Sequence, residues 1–537
     1  MIHLPYSPVL WGAAWLVLVV TGLSTRPLMP VDETRYLAVA WEMWLGGDYL
    51  VPHLNGEHYS HKPPLLFWLI NLGWAVFGVN DWWARLVAPL FGLGSLVLTM
   101  MLGRRLWPDR LDVGDMAPLI LVGGLFWGAF TTLTMFDMLV CFFTLAALLG
   151  VVDGCRRGGW RGWLLAGVAI GLGVLSKGPV ILIHVLPVAL CAPLWAGGGR
   201  RVTWGAYYAR LSATVLIAAA VALAWVVPAA IAGGAEYREA ILWGQTAGRI
   251  SESFAHGRPW WFYLAALPAA LLPWILWPPV WRGLYRVGDL MADPGSRFCL
   301  VWLALVMAIL ALVSGKQPHY LIPSLPAAAL LLAAVLGSGA GRTWRFDQGI
   351  PLLLFVLPAL ALALAIGVPP LPQSAGLPAL VRELAPLMAL PAALAAVVAA
   401  WMPMRIPPWR VVFMGIASVL LVVSGHLAVQ PHLRQAFDLK PLAEYVGELQ
   451  GQGIHVANVH KYHGQYQYLG RLRQPLAITW QHEARQWAAE HPGARMIVSH
   501  NEMPDGIEPG FVQRFRGRSV AVWEAETVLD RDDIVKP

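Results

Sequence analysis

The sequence predicts a polytopic α-helical membrane protein that ends in a small α/β domain outside the bilayer. Three observations carry this expectation. Of 537 residues, 58% are hydrophobic and only 13% charged, whereas a soluble globular chain is typically about 25% charged. Apolar runs of about 20 residues, the span of a bilayer, recur from the start to about residue 428. Residues 429–537 then change character, with 12 Lys and Arg against 13 Asp and Glu.

Thirteen spans are expected, at about 8–26, 84–103, 116–133, 137–153, 162–179, 180–196, 211–232, 260–281, 298–314, 320–338, 349–368, 380–401 and 410–428. The run from Pro8 to Leu23 has no preceding charge and no small-residue cleavage site, so it reads as a retained span rather than a signal peptide. The stretch 64–79 is apolar but short and reads as a re-entrant or interfacial helix. Arginines gather in alternate loops: Arg104, Arg105 and Arg110; Arg156, Arg157 and Arg161; Arg200, Arg201 and Arg210; Arg282, Arg286 and Arg297; Arg342 and Arg345; Arg405 and Arg410. By the positive-inside rule these loops are cytoplasmic. The N-terminus is then cytoplasmic, and thirteen spans put the C-terminus outside.

Charged and aromatic residues concentrate in the first outer loop, VDETRYLAVAWEMWLGGDYLVPHLNGEHYSHKPPLL, from Val31 to Leu66. Leu37, Trp41 and Trp44 recur at helical spacing. Asp32, Arg35 and Tyr36 share a face of that helix. Asp32 sits in the first turn, where the helix dipole favours a carboxylate, and Gly46-Gly47 ends the helix. Asn55-Gly56 reads as a tight turn between two extended pieces. A solvated loop with ordinary caps would also carry these residues, but the same outer face collects other ionisable groups. They are Asp137 at the start of a span, Lys177 at the end of another, Gln245, Arg249 and His256 in loop 233–259, and Lys316, His319 and Tyr320 in SGKQPHY. Each has a structural reading. Lys177 and Lys316 can snorkel to the interface, Asp137 can cap a helix, and His256 can decorate the interface beside Trp260. Together, at membrane depth, they point to function.

In the tail, Asp438 is placed to cap a helix to about Leu449. Strands are expected at Ile454–Val459, Leu476–Thr479, Met496–Ser499 and Ser519–Trp523, and a helix at Gln481–Glu490. VHKYHGQYQYLGR reads as strand–turn–helix or as a contact surface. The seven tail histidines, out of fifteen, show no metal spacing, nor do Cys141, Cys155, Cys191 and Cys299. Internal repeats, a P-loop, a dinucleotide fingerprint and a Ser-His-Asp motif are absent, and the net charge of +7 is accounted for by the arginine loops rather than by nucleic-acid binding.

An outer-face transferase needs an activated donor supplied there, and a lipid-phosphate-linked sugar meets that need. Its chemistry asks for cations on the departing phosphate, which Lys62, Arg249 and Lys316 can supply. It also asks for a carboxylate to orient or deprotonate the acceptor. Asp32 is the first choice and Glu33 the rival. A divalent metal (Zn, Mg or Mn) held by His61 and carboxylates can share the load.

DETRY, with GDYLVPHLNGEHYSHKPPLLFW, resembles the bacterial aminoarabinose–lipid A transferases and their wider group, the GT-C glycosyltransferases of the protein mannosyltransferase type. FDM at Asp137, SKGP at Lys177 and SGKQPHYLIPSLP add to the match. The resemblance covers the whole chain. It implies an undecaprenyl-phosphate-linked sugar donor, with 4-amino-4-deoxy-L-arabinose as the sugar, and an inverting transfer. The acceptor is lipid A phosphate, another envelope glycan or a protein hydroxyl. It implies a catalytic aspartate at Asp32, phosphate contacts at Lys62 and Arg249, and further site positions at Asp137, Tyr59 and Tyr320. Its members usually place a glutamate before the KPP lysine, where this chain has His61, and a histidine where it has Gln245. If that pair binds metal in the family, the ligand set has changed here.

The expected organisation is a transmembrane glycosyltransferase domain over 1–428, its periplasmic loops 27–83 and 233–259 carrying the site, and a periplasmic α/β domain over 429–537. The setting is the bacterial inner membrane, with membrane lipids as neighbours and the chain a monomer. A lipid-linked sugar transporter is the competing class, but transporters often show inverted repeats and midplane sites. An envelope scaffold would leave Asp32 and Lys62 unexplained.

Overall fold

The computed structural model describes residues 7–197, 200–244, 257–337, 347, 349, 353, 407–531 and 533–535. The chain forms two compact units. One comprises Met1–Ser24, His61–Leu66 and Arg85–Ala428; the other comprises Thr25–Ser60, Phe67–Ala84 and Val429–Pro537.

The first unit is helical. Among the described residues, seven helices of the chain are long and apolar enough to cross a membrane, beginning with Ser7–Thr25 and Asp81–Leu106. Several expected spans are broken for visible reasons. The span at 116–133 divides into Leu111–Val122 and Leu125–Phe130 at the Gly123-Gly124 pair. The span at 260–281 is split into Phe262–Ala270, Trp274–Leu276 and Pro278–Leu284 by Pro268, Pro273, Pro278 and Pro279, which remove backbone donors. The span at 180–196 stops at Leu190 and resumes at Ala192. The short stretch at 64–79 is a helix, Leu65–Phe77. The spans expected at 349–368 and 380–401 lie outside the described residues, apart from isolated positions.

Helices Phe136–Arg157 and Arg161–Lys177 form an antiparallel pair. They meet at Gly150 and Gly162, where an added Cβ on either would lie 2.5 Å from the other's carbonyl oxygen. Small residues allow this backbone approach, and dispersion then replaces the hydrophobic drive that lipid cannot supply. Asp137 near the start of one helix and Lys177 at the end of the other are about equally far from the connecting turn, so at ~1.5 Å per residue they reach the same level. At the opposite end of this unit the arginines are paired: Arg105 with Asp153 at 2.7 Å and Arg104 with Asp115 at 3.0 Å.

The second unit carries both sheets. Strands β1 (His53–Leu54) and β2 (Glu57–His58) form a hairpin. Asn55 and Gly56 take φ of 56° and 80°, as the sequence pair predicts. The five-stranded sheet runs β4-β3-β5-β7-β6, with β3 Val456–Val459, β4 Ala477–Thr479, β5 Arg495–His500, β6 Phe511–Phe515 and β7 Arg518–Glu524. Helix Lys440–Gly451 begins where Asp438 accepts from the Lys440 amide at 3.0 Å. It buries Leu442 and Val446 against Ile497 and Val520 on one sheet face. Ala484, Ala488 and Val528 cover Met496, Val498 and Trp523 on the other. Strand β6 was not expected from the sequence. Its residues alternate between half-buried and exposed along an edge, so it lacks a continuous apolar run.

The VHKYHGQYQYLGR segment is a strand followed by turns, without the expected helix. Its tyrosines pack on the first-loop elements of the same unit. Tyr468 stacks on Trp74 at 5.3 Å between centroids and donates to Asp81 at 2.7 Å. Trp41 donates to the Leu472 carbonyl at 2.8 Å, and Asn55 bridges Gln467 and Leu476.

Candidate functional site

Two clusters hold most of the residues singled out by the sequence, one in each unit. In the second unit, helix Asp32–Gly46 starts at Asp32 and ends at Gly47, whose φ of 68° fits the left-handed cap. The Asp32 carboxylate is half exposed, its side chain 49% accessible. Arg35 pairs with its Oδ1, and the Tyr36 hydroxyl donates to the same oxygen at 3.2 Å. Burial lowers the Arg35 pKa, but Tyr59, Tyr36 and Asp32 outweigh it and hold the guanidinium above the ordinary arginine value. Tyr59 is buried, edge-on to Phe67 at 6.2 Å.

Glu33 points elsewhere. Its side chain is 2% accessible and pairs with Arg26, whose Nη2 lies 3.1 Å from Oε1. The Met29 amide adds a third bond at 2.9 Å. Adjacent positions diverge by ~100° on a helix, so one carboxylate is open to solvent and its neighbour locks the helix entry.

In the first unit, Lys177 Nζ lies 2.7 and 2.8 Å from the two oxygens of Asp137. The Tyr320 ring lies 4.9 Å from that ammonium, and His319 stands edge-on to Tyr320 at 4.9 Å. Lys62 and His319 also act electrostatically on Asp137. Among the described residues, three basic side chains thus gather around this one carboxylate. Lys316 is turned inward: it is buried and donates to the carbonyls of Arg258, at 3.2 Å, and of Val313. That placement ties the ends of two connections together.

Arg249, Gln245 and His256 lie outside the described residues. His61 is exposed. Among the described residues, no group of three or more His, Cys, Asp or Glu side chains is placed to hold a metal ion. The expected divalent ion at His61 and Gln245 therefore gains no support from the described side chains. Lys177 is the residue whose centrality the sequence understated. Its signal was SKGP at a span end, which a snorkelling lysine shares, and its pairing with Asp137 emerges only once the helices are antiparallel. Arg26, Glu33's partner, gave no sequence signal beyond its position before the loop.

Residues 61–225 match the family model described as dolichyl-phosphate-mannose-protein mannosyltransferase. An undecaprenyl phosphate-alpha-4-amino-4-deoxy-L-arabinose arabinosyl transferase of Pseudomonas paraeruginosa is 36% identical over 322 residues, covering 58% of this chain and 56% of that protein. One from Pseudomonas savastanoi pv. phaseolicola is 34% identical over 359 residues, 65% of this chain and 66% of that protein. The chain thus spans little more than half the length of the first of these relatives. The crystal structure of ArnT from Cupriavidus metallidurans bound to undecaprenyl phosphate superposes with a TM-score of 0.78 at 19% identity, covering 96% of this chain and 97% of that one. The resemblance read from the loop motifs is borne out, and the chain has the GT-C fold with a C-terminal α/β region.

Proposed function

We propose that this protein is an inverting membrane glycosyltransferase that moves a sugar from undecaprenyl phosphate to an outer-face acceptor. The sugar is 4-amino-4-deoxy-L-arabinose on undecaprenyl phosphate, as the names of the curated relatives and the undecaprenyl phosphate in the similar crystal structure suggest, and the acceptor is lipid A phosphate, as the loop-motif resemblance implies. The observation that carries the reading is the half-exposed Asp32 carboxylate, held by Arg35 and Tyr36 at a helix start. A carboxylate so fixed is oriented before substrate arrives, and preorganisation is what makes such a group effective. The setting is the bacterial inner membrane, with loops 27–83 and 233–259 and the C-terminal α/β region in the periplasm.

In the reaction, the acceptor oxygen attacks the anomeric carbon from the face opposite the phosphate. The bond from that carbon to the phosphate oxygen breaks, and undecaprenyl phosphate leaves. Lys62 and Arg249 take the charge that builds on the departing phosphate. Asp137, neutralised by Lys177, sets the position of that ammonium against Tyr320. Where the acceptor is a phosphate, it is already ionised, and Asp32 orients it through Arg35 rather than taking a proton. A hydroxyl acceptor would instead give its proton to Asp32.

The description of the matching family model favours one second reading, transfer to protein hydroxyls. Purified protein in proteoliposomes, given undecaprenyl-phosphate aminoarabinose with lipid A or with envelope protein, decides between them by mass spectrometry. An aminoarabinose adduct on lipid A that is lost in Asp32→Asn supports the first. Label on protein alone moves the assignment to the second, and no adduct on either defeats the transferase reading.

A further inference from the structure

The five-stranded sheet has a switch point. Strands β4, β3 and β5 are parallel, while β7 and β6 are antiparallel to their neighbours. The chain leaves β3 toward β4 on one side and leaves β5 toward β6 and β7 on the other. Open α/β sheets bind ligands in the crevice at the carboxyl ends of two such diverging strands. A cavity of about 320 Å³ lies there, within the range of small-molecule sites, roughly 300–1,000 Å³.

Its polar lining comes from both exits. Asn458 lies near the end of β3, His460 and Lys461 follow that strand, Gln465 lies in the next turn, Ser499 is the penultimate residue of β5 and Arg518 begins β7. The register brings the last two together, since Ser499 pairs with Val520 and His500 with Ser519. The loop is built rather than loose. Asn458 donates to the His460 carbonyl at 3.0 Å, and His460 itself takes a φ of 74°. No Asp or Glu is among the described residues that line the cavity. Lys461 and Arg518 are exposed at its rim. Close by in sequence, burial and then Lys461 and Arg35 hold the His463 pKa below the ordinary histidine value, with Asp32 opposing.

We infer that this cavity binds a phosphate monoester carried on a sugar. Lys461 and Arg518 pair with the phosphate, where charge-assisted bonds are strongest. Gln465 and Ser499 supply the amide and hydroxyl that sugar hydroxyls require, and the volume exceeds what a bare phosphate fills. The site goes beyond the transferase reading and does not rest on it. The phosphate monoester comes either from a soluble sugar phosphate or from a lipid headgroup.

The test uses the full chain in nanodiscs of zwitterionic lipid, with glucose 6-phosphate as probe and calorimetry as readout. Saturable binding is expected, with glucose inert and inorganic phosphate weaker. The exposed-site double variant Lys461→Gln/Arg518→Gln should raise Kd about tenfold or more, a loss of ~1.4 kcal/mol, with unfolding temperature unchanged. Phosphatidic acid in the nanodisc supports a lipid source if it competes with the probe, and a soluble source if it does not. Absence of saturable binding, an unchanged Kd in the double variant, or equal affinity for inorganic phosphate overturns the assignment. Transfer activity is not read, so failure here and failure of the transferase reading remain distinct.

Discussion

Both carboxylate oxygens of Asp137 accept from one ammonium, that of Lys177, forty residues along the chain. The side chains are 3% and 13% accessible, so neither charge is well hydrated without the other. Breaking a buried pair strands a charge and typically costs about 3–5 kcal/mol, whereas replacing both charges is far milder. Lys177→Met alone should therefore destabilise the protein strongly, and Asp137→Asn/Lys177→Met should recover most of the loss. Thermal unfolding followed by a thiol-reactive dye at the buried Cys141 and Cys155 measures this. A Lys177→Met protein as stable as wild type would show that the pair does not hold the helices.

Lys62 is expected to act on the donor. Lys62→Ala should lower kcat/KM for the undecaprenyl-phosphate sugar by about 2–4 kcal/mol in transition-state stabilisation, with the unfolding temperature little changed. Full transfer by a well-expressed Lys62→Ala protein refutes the role.

Topology is tested by reporter fusions after residues 60, 158, 250 and 537. The fusion at 158 should report cytoplasm and the other three the outside. A cytoplasmic signal at 250 or 537 would place the proposed site on the wrong face.

The first loop was legible because its signals are local. A helix start, a left-handed glycine cap and an Asn-Gly turn are each fixed within a few residues, and each appears as read. The tail strands were legible where they are buried on both faces, as β5 and β7 are, and not where an edge strand alternates, as β6 does. What stayed hidden was long-range. Nothing local tells that Trp41 bonds the backbone of Leu472, or that Tyr468 stacks on Trp74. Nor does spacing reveal that Glu33, chemically as apt as Asp32, is closed off by Arg26.

Acid should act through His463. Burial first, then Lys461 and Arg35, hold its pKa below the ordinary 6.5, with Arg516 adding to them and Asp32 opposing. The unfolded chain then binds the proton more readily than the native one. The stability this neutral histidine contributes is present above pH 6.5 and is lost as pH falls from there through the lower native value. His463→Gln should flatten the acid limb of the unfolding temperature between about pH 7 and 5. An unchanged slope would show that His463 does not carry the effect, leaving His500, also held low by burial.

Two adjacent carboxylates, Asp32 and Glu33, should differ in what each variant loses. Glu33 is almost wholly buried and takes bonds from Arg26 and the Met29 amide. Glu33→Gln removes the carboxylate that offsets the buried Arg26 charge, so the expected defect is in folding, on the order of 3 kcal/mol. Asp32 is half exposed, and its pairing with Arg35 spans one turn at the surface. Exposed pairs of this kind contribute only about 0–1 kcal/mol, so Asp32→Asn should insert and unfold much as wild type does. Its loss should fall on transfer, because the amide keeps the shape and removes the charge that orients the acceptor or takes its proton. The measurement is lipid A adduct formed per unit of folded protein, set beside the unfolding temperature, for both variants. An active Asp32→Asn protein with a stable but inactive Glu33→Gln partner would assign the chemistry to Glu33. Activity in both would leave the Asp32 cluster without a role in transfer.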